Sequence, residues 1–557
     1  MARLSNVRTM SHSGPEPVST LQTFPEPAAG RGWGVWALTW AAFFCVALFL
    51  QWRGSAHGSD LGGDPDEAAH AVTSLMVRDY LFQAPGQHPL RFAEQYYDRL
   101  PRVALGHYPP GFYALAGVWL GFKPTQGALL MLQAVLLAAL GTATARVGAK
   151  LVAPWVAVGA GLLVILAPPI QQLVLLVMSD LFLALACLVA TWAMAAFLER
   201  PSKRLALGFG FAAALAILIK GSGLMLALVP LLAIAISGQW RLVLRPSLWL
   251  APVPVVLFAM PWQLFSYKFT KEGMSGLPVT EHFRRAFGYY GDAASHYLGY
   301  PVLVLLGVAA LVMLIGWLRG RRPSAYESAL WALLFAALVL IFTVPAGMSA
   351  RYLVPLVAPA FLLLAHSVCV WSRELSLRPV WIGGVVGLGV LGGSLVTTGQ
   401  WMPKDKNVHG YTAAVNAMVA TLPASPPQAD DAWLVCSDAR GEGALTAAAA
   451  FDGLVRQHPH LRVLRSTKEL ASMDWLGRDY TPAFATETAL LEHLTKKSVS
   501  YVVIDEGVPE SNRMPYYAQL KRALEQSGSG WLLSHSLPVV RGREQGTLLV
   551  YLRDHSP

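Results

Sequence analysis

Residues 62–70 read GGDPDEAAH, with three acids (Asp64, Asp66 and Glu67) inside four positions and His70 one helical turn further on. Carboxylates so placed can do three different things. They can open a helix, with Asp64 as N-cap, Pro65 at the first helical position, and Asp66 and Glu67 in the first turn, where the dipole favours them. Asp64 and Asp66, two positions apart, can flank a hard divalent cation. One of them can also take a proton from a nucleophile as a general base. Capping uses one acid or two, so the third leaves room for a second role. Beyond them, Val72, Leu75, Met76 and Tyr80 share one helical face and His70, Ser74 and Arg78 another, the pattern of an amphipathic helix on a membrane surface.

Further polar residues stand at the ends of apolar runs: His107 and Tyr108, then Gln171, Gln172 and Asp180, then Lys220, and finally Arg351 and Tyr352. The polar stretch 267–297 adds Lys268, Arg284, Arg285, Tyr289, Tyr290 and His296. One ionisable group at the end of a span can simply snorkel to the interface. Asp180, Lys220 and Arg351 come from three separate runs, and with the acids of 62–70 they predict a shared polar cavity.

The elements that must hold such a cavity are written in the composition. Of 557 residues, 54% are hydrophobic and only 14% charged, which points to a polytopic α-helical membrane protein. The formal net charge is +10, but Arg and Lys fall in short clusters between apolar runs, a sign of membrane orientation, and no nucleic-acid partner is expected. Four cysteines show neither zinc nor disulfide spacing. Residues 1–31, rich in Pro, Ser and Gly, read as a disordered cytoplasmic tail, and 33–52 as a retained signal anchor. Apolar runs of roughly 17–21 residues, with one slightly short, place eleven spans near 33–52, 126–145, 152–170, 180–198, 205–219, 222–238, 247–266, 298–318, 328–346, 352–371 and 380–398.

The segment HYPPGFYALAGVWLGF (107–122) decides the topology. If it does not cross, the basic connections at 145–150, 199–204, 241–245, 319–322 and 372–378 all face the cytoplasm, as the positive-inside rule requires. The segment is therefore expected to lie in the interface or to dip in and return. The resulting chain has a cytoplasmic N-terminus, a transmembrane domain over 32–399 with a first outer loop 53–125, and a soluble α/β domain over 400–557 on the extracytoplasmic side. In that domain 431–438 and 500–507 read as buried strands, 486–497 as a helix and 547–554 as a closing strand. The turn SDARGEGAL (437–445) lacks the GxGxxG spacing and reads as structural rather than as a nucleotide site.

The order DE-x-x-H after the first span, then H-x-PP-x-x-Y (His107, Pro109, Pro110, Tyr113), resembles the GT-C class of membrane glycosyltransferases. Within it, the chain is similar to the dolichyl-phosphate-mannose protein mannosyltransferases and the aminoarabinose transferases of lipid A. MSDLFLALA (178–186), LAILIKGSG (215–223) and ARYLVPLVAPA (350–360) extend the match, in order, from residue 33 to about 400, and leave the soluble tail outside it. The resemblance implies inverting transfer of a sugar from a polyprenyl-phosphate donor to an acceptor hydroxyl at the extracytoplasmic face. Asp66 would be the general base and Glu67 the neighbouring acid of the catalytic pair. Lys220 and Arg351, with Arg284 or Arg285 closing from the long loop, would hold the donor phosphate. His70, His107, Tyr108, Asp180 and Tyr352 would line the acceptor side or the pocket. Two departures stand out: His70 replaces a position often aromatic in the family, and Tyr108 replaces the Lys or His before the Pro-Pro pair, with His107 one step earlier.

The chemistry suits these residues. A polyprenyl phosphate leaves as a stable anion, so the reaction needs a base and cations more than an acid. No cofactor is required, although a divalent cation at Asp64 and Asp66 stays open. The expected partners are the lipid donor, membrane lipid and a glycan, lipid or protein acceptor. The expected location is a bacterial inner (plasma) membrane. The alternative is a transporter or flippase for a lipid-linked sugar, against which stand the missing internal repeat and the gathering of polar groups on one face.

Overall fold

The computed structural model describes residues 32–554 apart from Leu105, 272–273, 275, 376–380, 423–430 and 474–478; the N-terminal stretch 1–31, read as a tail, lies outside the described residues. Among them, seven helices are long and apolar enough to cross a membrane: Gly32–Arg53, Gln126–Gly148, Asp180–Glu199, Leu248–Thr270, Tyr300–Leu318, Ala325–Thr343 and Ala350–Glu374. Each falls on a run read from the sequence.

The count of eleven spans is not confirmed. The run 152–170 forms a helix of only 12 residues, Pro154–Ile165, because Pro168 and Pro169 start a new short helix where the first would have continued. The run 222–238 is likewise split, a 3₁₀ turn over Gly221–Ala227 giving way to Val229–Ser237 with Pro230 in its first turn. Lys203–Ile219 and Trp381–Thr397 are helical but 17 residues long.

Segment 107–122 contains a helix of 10 residues, Gly111–Leu120. At 1.5 Å per residue it is about 15 Å long, half the thickness of a bilayer core. Its glycines let it dock closely. A Cβ on Gly111 would sit 2.7 Å from the Leu218 carbonyl oxygen, and one on Gly117 would sit 2.8 Å from Val77 Cγ1 and 3.1 Å from Arg78 N.

The helix that begins after GGDPD runs Glu67–Gln83 and departs from expectation on two counts. It is not an amphipathic helix lying on a membrane: His70 and Ser74 are buried along with Val72, Leu75 and Met76. One flank packs on Gly111–Leu120, and the other meets the tail helix Ala439–Phe451, where the Gly443 position lies close against Ala68. Asp64 is not its N-cap either. The Asp64 side chain accepts from Asp66 N (2.9 Å) and its carbonyl from Glu67 N (3.1 Å), so it shapes the turn before the helix.

The tail builds a sheet from β1 (Val408–His409), β2 (Asp431–Cys436), β3 (Leu461–Arg465), β6 (Val499–Asp505), β7 (Trp531–Arg541) and β8 (Glu544–Arg553), in the order β1-β7-β8-β6-β2-β3. A separate two-stranded pairing joins β4 (Ala471–Ser472) to β5 (Thr481–Pro482). Strand β2 runs parallel to β3 and β6, while β8 is antiparallel to β6 and closes a hairpin with β7. Period-two alternation sorts the strand residues between two cores. Trp433, Val435 and Val503 face the helices Tyr411–Val419 and Ala439–Phe451 in a core continuous with the membrane part; Ala432, Leu434 and Ile504 face Glu487–Lys496 and Tyr516–Glu525. The Ala-rich run is explained by this packing, since every residue from Gly441 to Ala450 is buried. The turn at 437–441 is filled by its own side chains: Asp438 caps the helix, and Ser437 Oγ donates to the buried Asp505 (2.5 Å), which also accepts from Tyr411 (2.7 Å).

Candidate active site

Asp66 is held at the last position before its helix, with a side chain 34% exposed. Its Oδ2 accepts from Arg351 (2.7 Å) and from the Tyr108 hydroxyl (3.0 Å). Tyr108 arrives from the turn ahead of Gly111–Leu120, and Arg351 from the first turn of the span Ala350–Glu374. The Arg351 guanidinium also lies 3.9 Å from Asp64 Oδ1 and 3.8 Å from Asp180 Oδ2. Beneath it, Lys220 and Asp180 pair at 2.7 Å with side chains only 7% and 1% exposed, and the Lys220 ammonium lies 5.0 Å from the centre of the Tyr352 ring. Two cations and three carboxylates from the 62–70 turn and three separate helices thus converge, Asp180, Lys220 and Arg351 among them.

His70 lies one turn above Asp66. Its Nδ1 is 3.0 Å from the Tyr113 hydroxyl, its ring packs edge-on to Tyr108 at 4.7 Å, and its buried Nε2 has no hydrogen-bond partner among the described residues. Burial pushes its imidazole down to about 4, so it is neutral at pH 7. For Asp66, burial alone would raise the carboxyl, but Arg351 and the hydrogen bonds outweigh it and hold the group below the ordinary carboxylate range. Asp64 keeps the opposite balance: burial dominates, and it is raised despite Arg351.

Glu67 points the other way. It is fully buried, and its carboxylate accepts from Gly63 N (2.9 Å), Val177 N (3.2 Å) and Lys406 (2.6 Å). Arg284 and Arg285 are exposed and pair with Glu281 on their own helix, Val279–Leu298. His107 is exposed and packs on Phe269 at 6.0 Å. None of these three is in contact with Asp66. Sequence reasoning missed Lys406, one of two lysines in the polar linker 403–407, with no spacing to single it out.

The Arg351 guanidinium stands among Asp64, Asp66 and Asp180, and the described residues contain no group of three or more His, Cys, Asp or Glu side chains placed to hold a metal ion. An apolar cavity of ≈ 230 Å³ opens nearby, lined among others by Tyr290, Tyr297, Leu338, Leu353 and Val357.

No family model matches the chain. No curated protein matches it in sequence. Solved structures do match. ArnT from Cupriavidus metallidurans bound to undecaprenyl phosphate superposes with a TM-score of 0.52 at 13% identity, over 93% of this chain and 98% of that one. Archaeal oligosaccharyltransferase AglB from Archaeoglobus fulgidus, in complex with an inhibitory peptide and a dolichol-phosphate, gives 0.51 at 13% identity, over 85% of this chain and 69% of that one. The Archaeoglobus fulgidus enzyme in complex with Zn and sulfate gives 0.54 at 14% identity, over 85% and 68%. The chain has the GT-C fold. It is a multi-pass membrane protein whose fold is shared with ArnT and AglB.

Proposed function

We propose that the protein is an inverting glycosyltransferase that moves a sugar from a polyprenyl-phosphate donor to an acceptor hydroxyl at the extracytoplasmic membrane face. The observation that carries this reading is the Asp66–Arg351 contact: a half-open carboxylate joined to a guanidinium above a buried Asp180–Lys220 pair.

Arg351 and Tyr108 both bond to Oδ2 of Asp66, leaving Oδ1 to accept the proton of an incoming acceptor hydroxyl. As the acceptor oxygen attacks the anomeric carbon, the bond from that carbon to the phosphate oxygen breaks on the opposite side, and the lipid phosphate leaves as an anion. The proton ends on Asp66. Arg351 offers a bidentate contact for that phosphate and Lys220 a point charge. A bound phosphate competes with Asp66 for Arg351, so the base becomes stronger when the donor is in place.

The apolar cavity supplies room for the start of an isoprenoid tail, because it begins two residues beyond Arg351 on the same span. ArnT bound to undecaprenyl phosphate and AglB bound to a dolichol-phosphate support the same donor class. Arg284 and Arg285 stay assigned to the donor side only as residues that would close over it. Glu67, with its oxygens committed to protein partners, is assigned a positioning role beside the base. The bacterial inner membrane, the cytoplasmic N-terminus and the extracytoplasmic tail domain complete the proposal.

The three carboxylates around Arg351 and the zinc-bound relative favour one second reading, metal-dependent transfer after Arg351 moves out. Purified protein in lipid vesicles with a polyprenyl-phosphate sugar and membrane-extract acceptors tests both. Consumption of donor, unchanged by chelator and giving product of inverted anomeric configuration, supports metal-free transfer. Loss on chelation, restored by a divalent cation, supports the second reading. No consumption with any donor of this class contradicts the assignment.

A further inference from the structure

We propose that Lys406, in the linker that enters the soluble domain, is a positioning residue for the Asp66 base: through Glu67 it locks the turn carrying Asp64 and Asp66 onto the loop that leads into Asp180. The inference rests on the transferase reading above and assigns the linker a part in it.

Lys406 and Glu67 form an ion pair of 2.6 Å in which both side chains are 0% exposed. A charge so buried is retained only when its partners are complete. The partners of Glu67 are distributed across the site. Gly63 N belongs to the turn that carries Asp64 and Asp66, and Val177 N to the loop three residues ahead of Asp180. Met178, the next residue, brings its sulfur within 3.9 Å of Arg351.

The third partner comes from more than 300 positions away in the chain, where Lys406 N donates to Gly54 O (3.0 Å) at the end of the first span. Around Lys406 the linker is fixed at every step. Gln171 and Gln172 bond to the backbone of Gln400 and Lys404, Asp405 meets Arg53 (3.3 Å), and the Val408 carbonyl accepts from Asp60 N (2.7 Å). A Cβ on Gly63 would lie 3.3 Å from two Lys406 side-chain carbons, so the turn and the lysine are also in van der Waals register. Neither Lys406 nor Glu67 meets solvent, and their shared effect is to set where the neighbouring Asp66 points.

The test compares wild type, Lys406→Arg, Lys406→Met, the double variant Glu67→Gln/Lys406→Met, and Asp66→Asn, each as the full chain in vesicles with polyprenyl-phosphate sugar. A misplaced base lowers kcat by ~100-fold, so Lys406→Met is expected to lose kcat on that scale while the donor KM stays within a factor of two. Lys406→Arg, which keeps the charge, is expected to recover most of the loss. The double variant leaves no charge unpaired and so preserves the fold if Lys406→Met alone does not. A Gln amide cannot accept from both Gly63 and Val177, so the double variant is expected to keep a low kcat with a normal melting temperature. Wild-type kcat in Lys406→Met, or in a folded double variant, overturns the inference. If wild type itself consumes no donor, it is the transferase reading that fails, independently of Lys406; if Asp66→Asn turns over normally, it is the assignment of Asp66 as the base.

Discussion

At the scale of single residues, the site is a contest for Arg351. Its guanidinium touches Asp66 and stands near Asp64 and Asp180, and its closer contact with Asp66 holds that carboxyl down while burial raises Asp64. His70 takes part without a charge. Burial brings it to about 4 in the folded chain against an ordinary 6.5, so between these values the unfolded chain binds a proton that the folded chain does not. Stability is therefore complete above pH 6.5 and falls as pH drops through that window. At 1.36 kcal/mol per pH unit the total is roughly 3 kcal/mol. His70→Phe is expected to flatten this slope in thermal unfolding measured across the window. The gathering of Asp180, Lys220 and Arg351 was legible in the sequence because charged groups at span ends are costly and few, whereas Asp66 was singled out by its acid cluster and the family resemblance. Glu67 was legible as an acid but not in its direction, because adjacent helical residues point about 100° apart and only packing says which one faces the cavity.

At the scale of elements, the short helix Gly111–Leu120 carries Tyr108 to Asp66, and its approach depends on the absence of a side chain at Gly117. Gly117→Val would place a Cβ 2.8 Å from Val77 Cγ1 and wedge the helix away from Glu67–Gln83. The expected cost is about 1–3 kcal/mol of stability, with a fall in turnover as Tyr108 withdraws; thermal melting and donor consumption check the two parts. Apolar run length located the seven long helices well, since length and hydropathy are properties of the segment alone. It failed where proline pairs and glycine broke a run internally, at 166–169 and 221–230, because the total of apolar residues is blind to where a helix can continue. Amphipathic patterning failed at Glu67–Gln83, where His70 is covered by Tyr108, Phe112 and Tyr113 and Ala68 meets the tail helix Ala439–Phe451, contacts between residues far apart in sequence.

At the scale of the whole molecule, the C-terminal sheet region is joined to the helical part by more than its linker. Asp60 accepts from Tyr411 N (3.0 Å) and from Thr412 Oγ1 (2.5 Å), Arg456 reaches Asp79 (2.8 Å), and Arg99 donates to the His458 carbonyl (3.0 Å). The tail strands were readable from their apolar runs, but this docking was not, because each bond pairs a common polar residue with a distant partner. Asp60→Ala leaves the buried start of Tyr411–Val419 without its acceptor, at an expected cost of roughly 1–3 kcal/mol. Faster protease cleavage near residue 410, with a lower melting temperature, is the expected observation.

The most direct test of the central claim is donor consumption by Asp66→Asn beside wild type in the same vesicles, followed by mass spectrometry of the lipid. A positioned base contributes ~10²–10⁴-fold, so the account predicts a loss of that size with donor binding retained. Turnover equal to wild type would make GGDPDEAAH a structural turn and contradict the assignment of Asp66 as the base.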